Sequence, residues 1–321
     1  MQINRFSPEL RAFDPHQGAV VAEPLGSGPG WWAGAPGACL ADGRIYLVYR
    51  LRRPHPVRGG DLHIAVSDDG ERFETIWRAT KDAFGTPSIE RCAIVRTDAG
   101  AWRLYVSFVD PADGRWRIDV LEAASPDAFD PASRSPALTA ASIGAEGVKD
   151  PWLCRVNGVW HMLASFVPTP AVLPDDPRAM HATADIYNTG YSRSLTGLAT
   201  SADGLRWTWE GSVFEPRAAG WDAYASRINT AVAAGPVWIG YYDGSASVAE
   251  NYEERCGLAV SRDLRRWHRL SEDGPAVGSH GGPGTVRYVE ALQTSDWTRY
   301  YYEYTRPDGS HELRTSLERR R

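Results

Sequence analysis

The sequence predicts an all-β protein, a single five-bladed β-propeller domain of four-stranded antiparallel blades around a central channel. Three observations lead there. A turn signature centred on serine recurs along the chain, a two-strand hairpin precedes each copy, and no stretch of a dozen residues carries capped 3.6-residue periodicity.

The signature is a short apolar strand, Ser, a polar turn with Asp or Gly, and then an aromatic. It reads AVSDDGERF (65–73), AASPDAFD (123–130), ATSADGLRW (199–207) and AVSRDLRRW (259–267), with a worn copy, RTSLE (314–318), near the end. The hairpins read PGACLADGRIYLVYR (36–50), ERCAIVRTDAGAWRLYVSF (90–108), KDPWLCRVNGVWHMLASF (149–166), SRINTAVAAGPVWIGYYDG (226–244) and VRYVEALQTSDWTRYYYEY (286–304). Alternating aliphatic or aromatic and polar residues, broken by ADG, DAG and VNG, are the strand and hairpin signal. A unit of four short strands cannot close a sandwich alone but can stack radially with its copies. The blades fall near 31–80, 86–140, 147–215, 222–275 and 283–318, with residues 1–30 packing on the last. Most of the 13 Trp are then assigned to packing between blades, and the insertions 167–190 and 245–254 to loops over one end of the channel.

Composition narrows the function. A net charge of −5 offers no field for a phosphate polymer, so no nucleic-acid partner is expected. All but two of the 35 basic residues are arginine, the exceptions being Lys81 and Lys149. The N-terminal stretch MQINRFSPELRAFDPHQG lacks the apolar run of a secretory signal, and no later segment approaches a membrane span. Cys39, Cys92, Cys154 and Cys256 have no CxxC spacing, so buried reduced thiols in a cytoplasmic protein are expected, with no metal site. No nucleotide-binding fingerprint is present and no cofactor is expected.

In a propeller the first strand of each blade faces the axis, so its entry residues converge though distant in sequence. Alignment of the hairpins places there Ala35, Glu90 with Arg91, Lys149 with Asp150, Arg227, and Arg287. Glu90 and Asp150 fit a carboxylate pair in which repulsion and burial keep one proton available. The alternative is pairing of Glu90 with Arg91 or a ring arginine and of Asp150 with Lys149. Arg227 and Arg287 either neutralise the two acids or grip an anion on a ligand.

The five units, the opening Lys149-Asp150-Pro151 with its VNGVWHML hairpin, and the Ser-x-Asp-Gly-x-x-Trp signature resemble the five-bladed propeller glycosidases of families 43, 32 and 68 and the family 130 mannoside phosphorylases. The resemblance implies acids at the openings of blades one, two and three. Asp150 takes the position of the proton donor, as Asp where Glu is usual, and Glu90 the blade-two position. Ala35 stands where the base or nucleophile is expected. His280, in SHGGPG before blade five, becomes a candidate acid or base because related propellers bring a histidine to the axis there. His55, Trp31, Trp32, Tyr187, Asn188, Asn229 and Tyr288 are candidate ligand contacts. Three functions follow: a glycosidase-like enzyme on a glycoside or sugar-containing small molecule, a biosynthetic enzyme doing elimination, isomerisation or cyclisation on a small, anionic metabolite, or a propeller that only binds ligand.

Overall fold

The recurring serine turn shows how the sequence writes the fold. In the computed structural model, which describes residues 13–320, Ser67 Oγ accepts the Gly70 amide at 2.8 Å, and Asp69 Oδ1 accepts the amides of Glu71 and Arg72 at 2.8 and 2.9 Å. Ser201 and Asp203 repeat this geometry, with Gly204 at 2.8 Å and Leu205 and Arg206 both at 2.9 Å. Ser261 and Asp263 do so again. Each turn needs a left-handed residue after Asp, supplied by Gly70, Gly204 and Leu264. The RTSLE copy is not such a turn: Ser316 lies inside a strand and bonds the Tyr302 hydroxyl at 2.8 Å.

The regular secondary structure of the described residues is almost entirely β. Strand β1 (Ala19–Ala22) comes first in the chain, followed by the antiparallel run β2 (Trp32–Ala41), β3 (Arg44–Arg53), β4 (Arg58–Ser67) and β5 (Glu74–Thr80). Three separate four-stranded sheets follow. They are β6 (Ile89–Arg96), β7 (Trp102–Val109), β8 (Trp116–Ala123) and β9 (Ser135–Leu138); β10 (Ala145–Val156), β11 (Val159–Pro168), β12 (Leu195–Ser201) and β13 (Thr208–Phe214); and β14 (Ala225–Ala234), β15 (Val237–Ser245), β16 (Arg255–Ser261) and β17 (Trp267–Arg269). Last come β18 (Val286–Gln293), β19 (Trp297–Thr305) and β20 (His311–Arg319). These three share one eight-stranded sheet with β1 to β5: β20 pairs with β1 along one edge and meets β2 through the parallel pair Trp32 and His311. Residues 1–12 of the N-terminal segment lie outside the described residues. One α-helix, Ala140–Ile143, is a single turn, and no helix of the described residues is long and apolar enough to cross a membrane.

The apolar core is divided into layers between successive sheets. Val48 and Ile64 pack with Ile94 and Leu104; Ala93 and Tyr105 with Val148 and Met162; Leu163 and Leu198 with Ile228 and Tyr242; Ile239 and Tyr241 with Val289 and Tyr300; and Ile45 and Leu47 with Tyr301 and Leu313. Each buried aliphatic side chain contributes about 1.5–3 kcal/mol, so these layers hold the array together while the polar residues gather elsewhere. Trp102, Trp152 and Trp267 lie in the layers, as expected for packing aromatics.

The opening strands β2, β6, β10, β14 and β18 touch one another in ring order. Each breaks its pairing near its start, between Gly34 and Gly37, Ile89 and Cys92, Lys149 and Trp152, Ile228 and Thr230, and Arg287 and Glu290. A bulge re-aims the side chains it carries. Ala35, Asp150 and Tyr288 sit in these bulges with φ of 50°, 58° and 52°, a left-handed conformation that costs a non-glycine residue about 1–3 kcal/mol and that clusters at functional sites. Two glycines of β2 permit the close fit. A Cβ on Gly37 would lie 2.2 Å from the Cys92 carbonyl oxygen, and one on Gly34 would lie 1.9 Å from Glu303 Cγ. Gly34→Ala is therefore expected to lower stability by about 1–3 kcal/mol, the usual range for overpacking, as read by urea unfolding; an unchanged midpoint would show that Glu303 has room to move.

Candidate active site at the strand openings

The bulges bring together most of the residues singled out in the sequence, in an interior that is almost wholly polar. Glu90 and Asp150 lie there, 7% and 2% exposed. Glu90 bonds Arg50 Nε and stands 3.9 Å from Lys149 Nζ. Asp150 donates its backbone N–H to Ser107 Oγ at 2.8 Å, but neither carboxyl oxygen has a hydrogen-bond partner; Lys149 Nζ, at 3.5 Å, is the nearest cation. Lys149 itself is held over the rings of Tyr187 and Trp116, 4.5 and 4.9 Å from their centroids.

The two acids have opposite tendencies. Burial opposes ionisation of Glu90, yet Arg50, Lys149 and Arg52 together outweigh it and hold its pKa below the ordinary range. Burial dominates at Asp150: Lys149 pulls the other way, Glu90 adds its repulsion, and the pKa is raised. One carboxyl pushed toward its ionised form and one pushed toward its protonated form is the kind of split that acid–base chemistry uses.

Arg227 and Arg287 do not neutralise Glu90 and Asp150. Arg227 bonds Glu254, and Arg287 bonds Glu254 Oε2 at 2.7 Å and Glu303 Oε2 at 2.8 Å. Neither pairs with Glu90 or Asp150. Arg91 is the correction on the other side: it bonds Glu290, not Glu90, and donates from Nε to the Pro36 carbonyl at 2.8 Å and from Nη1 to that of Asn229 at 2.6 Å. Each of its three nitrogens is engaged, so it ties the bulges of β2, β14 and β18 to β6.

Arg50 occupies the space beside Ala35. It sits on β3 opposite Gly34, fully buried, and reaches both Glu90 and Glu303, the latter at 3.2 Å. Glu303 is the hub: it also accepts from His311 Nδ1 at 3.1 Å, and Arg287, Arg50 and His311 outweigh its burial and keep it ionised. On the far side, Asp243 accepts the Tyr288 amide at 3.1 Å, and burial with repulsion from Glu254 pushes its pKa up to about 7.

The other candidates separate by place. Trp32 is 3% exposed, stacked on His311 at 4.9 Å, and Tyr288 lies under the guanidiniums of Arg287 and Arg50 at 5.1 and 5.7 Å. Asn229 Nδ2 is buried with no partner. Trp31 is half-buried and accepts the His311 amide through its carbonyl. His280 lies elsewhere: exposed, it stacks on His16 at 3.5 Å, and its amide reaches the Tyr304 hydroxyl. The glycine-rich turn that carries it runs outside β19, so it contacts none of the opening residues. His55 is exposed in the β3–β4 connection, and burial together with Arg52 and Arg58 lowers its pKa.

The connection between β11 and β12 covers the cluster. Asp185 accepts from Trp116 Nε1 at 3.1 Å, the Tyr252 hydroxyl at 2.9 Å and Asn188 Nδ2 at 2.8 Å, and pairs with Arg58 at 3.2 Å. Asn251 holds the Tyr187 carbonyl at 3.0 Å and Asn188 Oδ1 at 2.7 Å. A surface cavity of about 560 Å³, lined by Tyr191, Arg193, Glu215 and Tyr224 among others, lies beside this connection and holds none of the opening carboxylates. Among the described residues no group of three metal-ligating side chains is present.

Sequence reasoning passed over Arg50, Arg52, Asp243, Glu254, Glu303 and His311. For four of these a signal existed, a lone charge inside an apolar or aromatic strand: LVYRLR for the two arginines, YYDG for Asp243 and YYEYT for Glu303. Such a charge survives burial only with partners.

Fold and site together define a class: an all-β array whose opening strands converge on a cluster of buried charged side chains. Solved structures share the fold. A glycosyl hydrolase from Bacteroides ovatus matches at 16% identity over 92% of this chain and 85% of that one, with a TM-score of 0.62. A glycoside hydrolase matches at 12% identity over 94% and 90%, TM-score 0.69. The β-1,2-mannobiose phosphorylase of Listeria innocua, in complex with β-1,2-mannobiose, matches at 13% identity over 92% of each chain, TM-score 0.61. The resemblance drawn from the repeats therefore extends to the fold. No family model matches the chain, and neither does any curated protein.

Proposed function

We propose that the protein is a glycosidase-like enzyme acting on a glycoside or sugar-containing small molecule, with Asp150 as proton donor and Glu90 as its ionised partner, on a five-bladed propeller. The observation that carries the chemistry is Asp150: a carboxylic acid buried in a strained bulge, with both oxygens free and a raised pKa, beside a carboxylate held charged. In cleavage the C–O bond breaks with its electron pair on the leaving oxygen, which takes the Asp150 proton, while a water adds to the anomeric carbon and gives up its proton to Glu90, from which solvent exchange restores both carboxyls. The blade count follows from treating the eight-stranded sheet as two blades joined at Trp32 and His311, with β1 completing the last. The four unpaired cysteines support a reducing compartment, the cytoplasm.

Ala35 favours a second reading. With Ala35 at the blade-one opening and Glu254 and Glu303 taken up in ion pairs with arginines, the pair can serve proton transfer in elimination, isomerisation or cyclisation instead.

A panel of aryl glycosides separates the two. Turnover on at least one sugar is expected, with a bell-shaped pH profile: activity falls on the acid side as Glu90 gains its proton and on the alkaline side as Asp150 loses its own. No turnover on any sugar would remove hydrolysis and leave proton-transfer chemistry on the same pair.

A further inference from the structure

Arg52 forms no salt bridge of its own among the described residues, although its charge acts on Glu90 from a distance. It lies on β3 directly across from Trp32 of β2 and is 4% exposed. Its guanidinium stacks over the Trp32 ring at 4.1 Å and the Tyr252 ring at 4.7 Å. Two aromatic faces fix the plane of the group and leave its N–H edge as the only way to bind. Among the described residues it forms no salt bridge, unlike Arg50, Arg58, Arg227 and Arg287 around it. An unpaired buried guanidinium is costly, and such groups ordinarily find an anion.

The same indole gathers further unfilled donors. Arg287 and Arg50 lie 4.3 and 5.6 Å from the Trp32 centroid. Arg287 Nη2, Arg50 Nη1 and Trp32 Nε1 are buried without hydrogen-bond partners.

We propose that Arg52, with Arg50 and Arg287, forms an oxyanion subsite around Trp32 and that the substrate is an acidic sugar whose carboxylate takes the edge of Arg52. The inference rests on the acid–base reading of Glu90 and Asp150 and names the substrate class for it. A planar carboxylate meets a planar guanidinium edge with two parallel hydrogen bonds, whereas a neutral hydroxyl would leave the charge uncompensated. A free oxyanion bound beside a neutral sugar would satisfy the same donors.

The test is binding to the full chain, by calorimetry and thermal shift, of D-glucuronate, D-galacturonate, inorganic phosphate, D-glucose and D-galactose. Uronates are expected to bind at least tenfold more tightly than the neutral sugars and to weaken with added salt. Phosphate binding without uronate binding would keep the subsite and make its oxyanion a free one. Arg52→Met should lose at least tenfold in uronate affinity, and Arg52→Lys should recover part of it. Removing an unpaired charge should leave the ligand-free melting temperature equal or higher, which a structural arginine would not do. Neutral sugars binding as tightly as uronates, no binding by any of the anions, or Arg52→Met and Arg52→Lys both keeping full uronate affinity would overturn the proposal. Asp150→Asn should keep uronate binding while losing turnover, so failure of the acid–base reading appears in catalysis and failure of this one in binding.

Discussion

Asp150→Asn is expected to reduce turnover by about 10²–10⁴-fold, the usual worth of a positioned general acid, without unfolding the protein. The side chain keeps its volume and loses the proton proposed for the leaving group. The stability change has the opposite sign to most buried substitutions. Because the folded-state pKa of Asp150 is raised above its unfolded value, the carboxylic acid is tolerated at low pH, and the protein loses stability as pH rises from the unfolded value toward the folded one. At neutral pH an amide, which carries no charge to desolvate, should match or exceed the parent in melting temperature. An active Asp150→Asn enzyme would remove the proposed donor. A variant that is inactive but also strongly destabilised would show that Asp150 holds the bulge of β10 rather than the proton.

Glu303→Ala should have the largest effect on stability. The carboxylate is fully buried and shared by Arg50, Arg287 and His311. Removing one partner of a buried ionic cluster costs about 3–5 kcal/mol, because the remaining charges stay desolvated and uncompensated. That is a large part of the stability of an ordinary domain. Urea unfolding would read it. Glu303→Gln should recover a minority of the loss, since an amide accepts one hydrogen bond but offers no charge. A cost below about 1 kcal/mol would mean that Arg50 and Arg287 find other partners, with Glu90 and Glu254 the available ones. Gly34→Ala presses on the same carboxylate from β2, so the two substitutions together should cost less than their sum.

The sequence by itself determined the elements and their repetition. Ser67, Ser201 and Ser261 each build their turn from atoms within three residues, and a hairpin needs only alternation and a turn, so these features are local and visible in one dimension. RTSLE misled because the same letters, in a strand, leave Ser316 bonded to Tyr302 instead of to its own turn. The strand openings were also legible, since Glu90, Lys149, Asp150, Arg227 and Arg287 sit at equivalent places in successive hairpins. Their charge pairing was not. Arg50 and Glu303 are 253 positions apart in number, and only the closure of the β20 edge onto β2 sets them in contact. Tertiary structure alone decided that Arg91 ties bulges together, that Arg227 and Arg287 answer to Glu254 and Glu303, and that Arg52 is left between two rings without an anion. The physical reason is that a hydrogen-bonded turn is satisfied by its neighbours in sequence, whereas a buried charge is satisfied by whichever opposite charge the fold carries to it.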